Sequence, residues 1–286
     1  MSRRYFRVTF WVGILTCALP MAGITIALSP PGSVPDVLGV WDGFYHTDDG
    51  ATGTVGSDVT QVLHPRLEGE GTLFGLENGD LSYDLRATMT RPDFITGTGT
   101  TSKGKLVFHA DLQSFAGRGG DAGVKSAKYK LVPSRGGASP ISALLLHPFP
   151  GAAAPDISGN GLGSFVSLPD PTIPGDVPDP NFKGVGKVRI SPRNARGSFA
   201  GRVEFFIEPS PSPVISWPLL GTTSDDGRII MISQGAAGKI TYDGVVVPPS
   251  SSEQQTFVGG FFRLRFFDGG SLFGAINFNL SRDVID

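Results

Sequence analysis

Apolar and polar residues alternate with a period of two through most runs of this chain, and that constrains its fold more than any other feature. In residues 81–89, Leu81, Tyr83, Leu85, Ala87 and Met89 fall on one face, and Ser82, Asp84, Arg86 and Thr88 on the other. Successive side chains of a strand point to opposite sides, so this is a strand with one buried face. Leu106, Phe108, Ala110 and Leu112 repeat the pattern, as do Ala127, Tyr129 and Leu131. It returns in Val203, Phe205 and Ile207, in Phe262, Leu264 and Phe266, and in Ile276, Phe278 and Leu280. Residues 228–233, RIIMIS, are nearly continuous in apolar character, which predicts a strand covered on both faces. Nothing after residue 30 has the period of an amphipathic helix.

The punctuation agrees. Asp49-Gly50, Asn78-Gly79-Asp80, Asp226-Gly227, Asp243-Gly244 and Asp268-Gly269-Gly270 separate the runs, and such residues supply the backbone conformations of tight hairpins. With 40 Gly, 23 Pro and 20 Phe among 286 residues, the chain has both the turns and the apolar mass of a many-stranded core. The expected fold class is all-β, an antiparallel meander barrel or sandwich. Residues 134–183 are dense in Pro and Gly and read as a linker or insertion. They leave two similar β-modules, residues 37–133 and 184–286, after a flexible lead-in at 28–36. The alternative is one large barrel with a long insertion. An internal echo favours duplication: GTLFG at 71–75 precedes GTTSKGKLVF at 99–108, and GSFAG at 197–201 precedes GTTSDDGRIIM at 221–231. A further GSLFG at 270–274 falls out of phase.

Residues 1–27 have the layout of an export signal. Arg3, Arg4 and Arg7 precede an apolar run over residues 8–28 that ends near Thr25-Ile26-Ala27. Ser2-Arg3-Arg4-Tyr5-Phe6 resembles the twin-arginine pattern, but Arg7 and Val8 stand where that pattern has Leu and Lys, so the secretory route is favoured. The expected location is periplasmic or extracellular, with no membrane insertion of the mature protein. Cys17, the single cysteine, lies in this segment. A mature chain would have no disulfide, no thiolate metal site and no cysteine nucleophile. The net charge of -2 and the lack of clustered Lys and Arg argue against nucleic acid as a partner.

The stretch Gly39-Val40-Trp41-Asp42-Gly43-Phe44-Tyr45 resembles the Gly-x-Trp signature of lipocalins and related calycin-type β-barrels. It is also similar to the Gly-x-Trp-x-Gly-x-Tyr pattern of uncharacterised bacterial exported β-proteins. The resemblance implies an antiparallel barrel whose interior holds a small apolar ligand, with Trp41, Tyr45, Tyr83 and Phe108 as the ligand-binding residues. Asp42 replaces the aromatic residue usual after the Trp, and the Thr-Asp-Tyr motif is absent. The arginine that often packs over the Trp would have to be Arg263 or Arg265. Read from the residue alone, Trp41 at a strand end plugs one end of a barrel and finds a partner for its N–H, or else touches ligand.

Other chemistries lack their residues. His46, His64, His109 and His147 have no metal-ligand spacing, and His109 and Asp111 share an outward strand face. Gly163-Ser164 and Gly197-Ser198 do not form a nucleophile elbow. Asp48-Asp49-Gly50 and Asp225-Asp226-Gly227 fit turns better than calcium loops. Glu68 with Glu70, or Glu204 with Glu208, supply carboxylates whose pairing the sequence does not define. No catalytic residue, metal or cofactor is expected. The function expected is that of an exported, non-enzymatic β-protein binding a small apolar or amphipathic ligand in a barrel interior. The alternatives are a structural or adhesive cell-envelope component and a carbohydrate-binding module.

Overall fold

The computed structural model describes residues 37–281 except 64, 78, 118–119, 134–138, 150–154, 156, 195–196, 208–209 and 248–254. The export signal at 1–27 and the lead-in at 28–36 lie outside the described residues.

Two closed antiparallel barrels of eight strands follow one another along the chain. The first consists of β1 (Gly39–Thr47), β2 (Thr52–Leu63), β3 (Arg66–Phe74), β4 (Leu81–Arg91), β5 (Phe94–Thr101), β6 (Gly104–Gly117), β7 (Gly120–Pro133) and β8 (Ser139–His147). The second consists of β9 (Gly159–Leu168), β10 (Lys183–Ile190), β11 (Ser198–Ile207), β12 (Ile215–Thr223), β13 (Arg228–Gln234), β14 (Gly238–Val247), β15 (Thr256–Phe266) and β16 (Ser271–Ser281). Each strand pairs with the next, and the last returns to the first: Gly43 faces Leu145 across β1 and β8, and Ile276 faces Phe165 across β16 and β9. Closure removes the free edges of both sheets. The chain is therefore all-β with two similar modules, calycin-like in architecture.

The Pro- and Gly-rich segment 134–183 needs correction. It contains β8 and β9, the closing strand of one barrel and the opening strand of the other. Its Pro and Gly residues concentrate between and beside those strands, while Ile141, Ala143, Leu144, Leu145 and Leu146 are all buried. A run buried at consecutive positions has both faces covered, and its lack of alternation hides it from a period-two reading.

Each barrel has its own core, built from the inward face of every strand. A third cluster lies between the barrels. Phe44, Val124, Leu144, Leu146 and Phe149 pack against Ile230 and Ile232. This explains the RIIMIS run: Ile229 and Met231 enter the core of the second barrel, and Ile230 and Ile232 face the first. Phe149 is tied down as well, its N–H donating to Thr222 Oγ1 at 3.0 Å and its carbonyl accepting from Arg193 at 3.2 Å.

Candidate functional site

The four sequence-predicted residues all lie in the packed interior of the first barrel. Trp41 is 1% exposed, and its indole N–H donates to the Val37 carbonyl at 3.1 Å. Tyr45 donates its hydroxyl to the Phe74 carbonyl at 2.8 Å. Tyr83 and Phe108 meet through a residue the sequence reading did not single out as a site: Tyr129 lies 5.5 Å from the Phe108 ring and 6.2 Å from the Tyr83 ring. Burial pushes the Tyr83 phenol up to about 12. Glycines make room for these rings, since a Cβ at Gly71 would sit 2.4 Å from the Tyr83 hydroxyl, and one at Gly97 would sit 2.6 Å from Phe108 Cζ. The four residues thus fill space within one packed core and against bare backbone.

The cation over Trp41 is Lys125, not Arg263 or Arg265. Its Nζ stands 4.8 Å from the ring centroid and donates to Ser57 Oγ at 3.4 Å. Burial pushes this amine down to about 7. His147 stacks on the same indole at 5.0 Å. Lys125 extends the inward parity of Ala127, Tyr129 and Leu131 by one position, which is the signal that would have found it. Arg263 instead grips Asp170 through two bonds of 2.9 and 3.0 Å, holding the loop between β9 and β10 against β15.

The second barrel is also filled. Phe165, Phe182, Phe205 and Phe262 form a ring cluster with centroids 4.8 to 6.4 Å apart. The cavity left beside them has a volume of about 20 Å³. That admits one water at most, against the several hundred Å³ of a small-molecule site.

A concave surface with charged and apolar lining side chains occurs outside the second barrel instead. A cleft of about 820 Å³ is lined by Asn160, Leu162, Lys187, Arg189, Arg202, Glu204, Gln255 and Asn279, among others. Strand register explains why these side chains converge. Arg189 of β10 stands directly opposite Arg202 of β11 and, on its other side, opposite Asn160 of β9. In the next outward row Lys187 stands between Glu204 and Leu162. Arg189 donates to Asn160 Oδ1 at 3.1 Å. Arg202 donates to Ser216 Oγ at 2.9 Å, and Ser216 donates to Glu204 at 2.9 Å. Leu162, 53% exposed, lines the cleft beside Lys187. Two guanidiniums facing each other across a strand pair repel; Glu204, 3.8 Å from Arg202, meets part of that charge, and Lys187, Arg189 and Arg202 leave the cleft with a net excess of cation. The sequence reading did not single out this cleft, because its cations are scattered over residues 187–202 and only strand pairing brings them together.

Fold and cleft together define a double up-and-down barrel with filled interiors and a cationic outer cleft. No family model matches the chain, and no curated protein matches it. Among solved structures it is similar to kievitone hydratase from Nectria haematococca, at 10% identity and a TM-score of 0.33, with 91% of this chain and 95% of that chain covered. That structure is of an enzyme, so the expectation of a non-enzymatic protein is corrected. The ligand-carrying interior is corrected by the packing, since side chains fill both barrels. A likeness at that TM-score brings no substrate or residue role to this chain. Physically, the missing nucleophile elbow and metal spacing excluded only chemistries with local motifs, and cross-strand constellations leave no such trace.

Proposed function

We propose that the chain, exported through its N-terminal segment, binds a small organic anion in the cleft on the outer wall of the second barrel. The observation that carries this reading is the direct opposition of Arg189 and Arg202, with Lys187 beside them, in a cleft of about 820 Å³. Guanidinium groups pair bidentately with planar anions such as carboxylates, and a bound anion offsets the repulsion between them. Exposed Leu162 offers an apolar seat for the ligand's body. Three cations against the one carboxylate of Glu204 in the cleft suit a single anionic group, not the extended backbone of a nucleic acid.

Support for export comes from Arg3, Arg4 and Arg7 ahead of the apolar run. Apolar interiors and charged outer rows support a mature protein that stays out of the bilayer, since a membrane barrel has the reverse polarity. The lipocalin-like reading of the first barrel is supported by the Lys125 ammonium over Trp41.

Isothermal titration of the chain with octanoate and with octanol tests the binding. Octanoate is expected to bind and octanol to bind far more weakly. Arg189→Ala and Arg202→Ala should each cost on the order of tenfold to a hundredfold in affinity, the usual worth of a charge-assisted bond. Equal binding of acid and alcohol, or arginine variants without effect, sinks the reading. For export, the mass of protein recovered outside the cytoplasm should lack residues 1–27.

A further inference from the structure

The first barrel carries a row of charge opposite in sign to the cleft on the second. Asp58 of β2 stands directly opposite Glu70 of β3, and Glu70 directly opposite Asp84 of β4. All three point outward and line a groove of about 570 Å³ that contains no Lys or Arg among its described lining residues. Among the described residues none of the three makes an ion pair. The nearest outward cation along β4 is Arg86, which pairs in register with Glu68 in the adjoining row. Like charges directly opposite in a sheet are destabilising, so this row carries a cost within the free chain, and the facing Arg189 and Arg202 carry a smaller one because Glu204 lies 3.8 Å from Arg202.

We propose that these two faces are the two halves of one interface, through which a second copy of this chain associates. Neighbouring strands lie about 4.8 Å apart in any sheet. Carboxylates one strand apart on the first barrel therefore match guanidiniums one strand apart on the second, and contact between copies relieves both repulsions together. Each face also exposes one large apolar side chain, Phe74 beside the acidic groove and Leu162 in the basic cleft. The association uses the same cleft as the small-anion reading and does not depend on it. The two are competitive: an anion seated between Arg189 and Arg202 displaces the partner's carboxylates.

Sedimentation velocity of the full chain over a range of ionic strength tests this. The expected result is reversible association at low salt that disappears at high salt, because exposed pairs are screened within about 8 Å at physiological ionic strength. Glu70→Lys and Arg202→Glu should each weaken association by about tenfold or more, and the chain carrying both should regain it through the swapped pair. These are exposed positions, and the salt series needs no variant. Sedimentation that ignores salt, or that ignores either single reversal, or that is not restored in the double variant, overturns the proposal. Octanoate titrated into the Glu70→Lys protein reads the cleft separately. Binding there without association in the parent chain refutes the interface alone, and association without octanoate binding refutes the small-anion reading alone.

Discussion

Replacing Lys125 with methionine should stabilise the first barrel at neutral pH, and the gain should vanish in alkali. Burial lowers the Lys125 pKa from 10.5 to about 7. At 1.36 kcal/mol per unit, carrying the charge inside costs roughly 5 kcal/mol. The sign follows from proton linkage. Between pH 7 and 10.5 the unfolded chain holds a proton that the folded chain has released, so stability rises with pH across that window. Below pH 7 both states are protonated and the penalty is constant. Lys125→Met keeps the stem's packing and removes the charge. The assay is urea denaturation from about pH 6 to pH 10, followed by Trp41 fluorescence, with Trp217 reporting on the second barrel. Lys239 and the buried tyrosines also titrate near this range, so the difference between the two proteins isolates Lys125. The expected difference is roughly 5 kcal/mol in favour of the variant at pH 6, falling towards zero near pH 10.5. A parallel pH dependence in the two proteins, or a variant less stable at pH 7, would refute the reasoning.

Gly71→Ala should destabilise by about 1–3 kcal/mol through overlap with the Tyr83 ring, and Tyr83→Leu should recover part of that loss in a double-variant cycle. Asp170→Ala should cost about 3 kcal/mol by stranding the Arg263 guanidinium, and limited proteolysis should then cut within residues 171–182. Although burial pushes the Asp170 carboxyl up, bonds from Thr172 and Arg263 hold it below its usual range. That contribution is therefore present at neutral pH and is lost as pH falls through the lowered value. Ile230→Asp places a charge between the barrels and should split a single thermal transition into two, measured by calorimetry, because each barrel has its own core.

How much was legible can be traced to particular residues. Alternation in residues 81–89 and 106–112 gave β4 and β6 with the correct inward faces, since a period of two is a local property. The double apolar character of Ile229, Ile230, Met231 and Ile232 correctly signalled a strand covered on both sides. β8 was lost because its continuous apolar run stands among prolines. Trp41 stood out through a local motif, whereas the cation above it comes from β7, 84 positions along by number. The cleft was illegible for the same reason. Arg189, Arg202 and Asn160 become neighbours through register, and register is set by closure of the whole sheet.

The two barrels are also consecutive in the chain, with no strand of one threaded into the other. As the chain emerges N terminus first, β1 and β8 can join before β13 has emerged. At that moment Phe44, Val124, Leu144 and Leu146 stand as an open apolar patch, because β13, which covers them, begins some eighty residues further along the chain. The half-made protein is thus folded yet adhesive, and the interval before β13 arrives is when a holding factor or a slow rate of elongation would most affect yield.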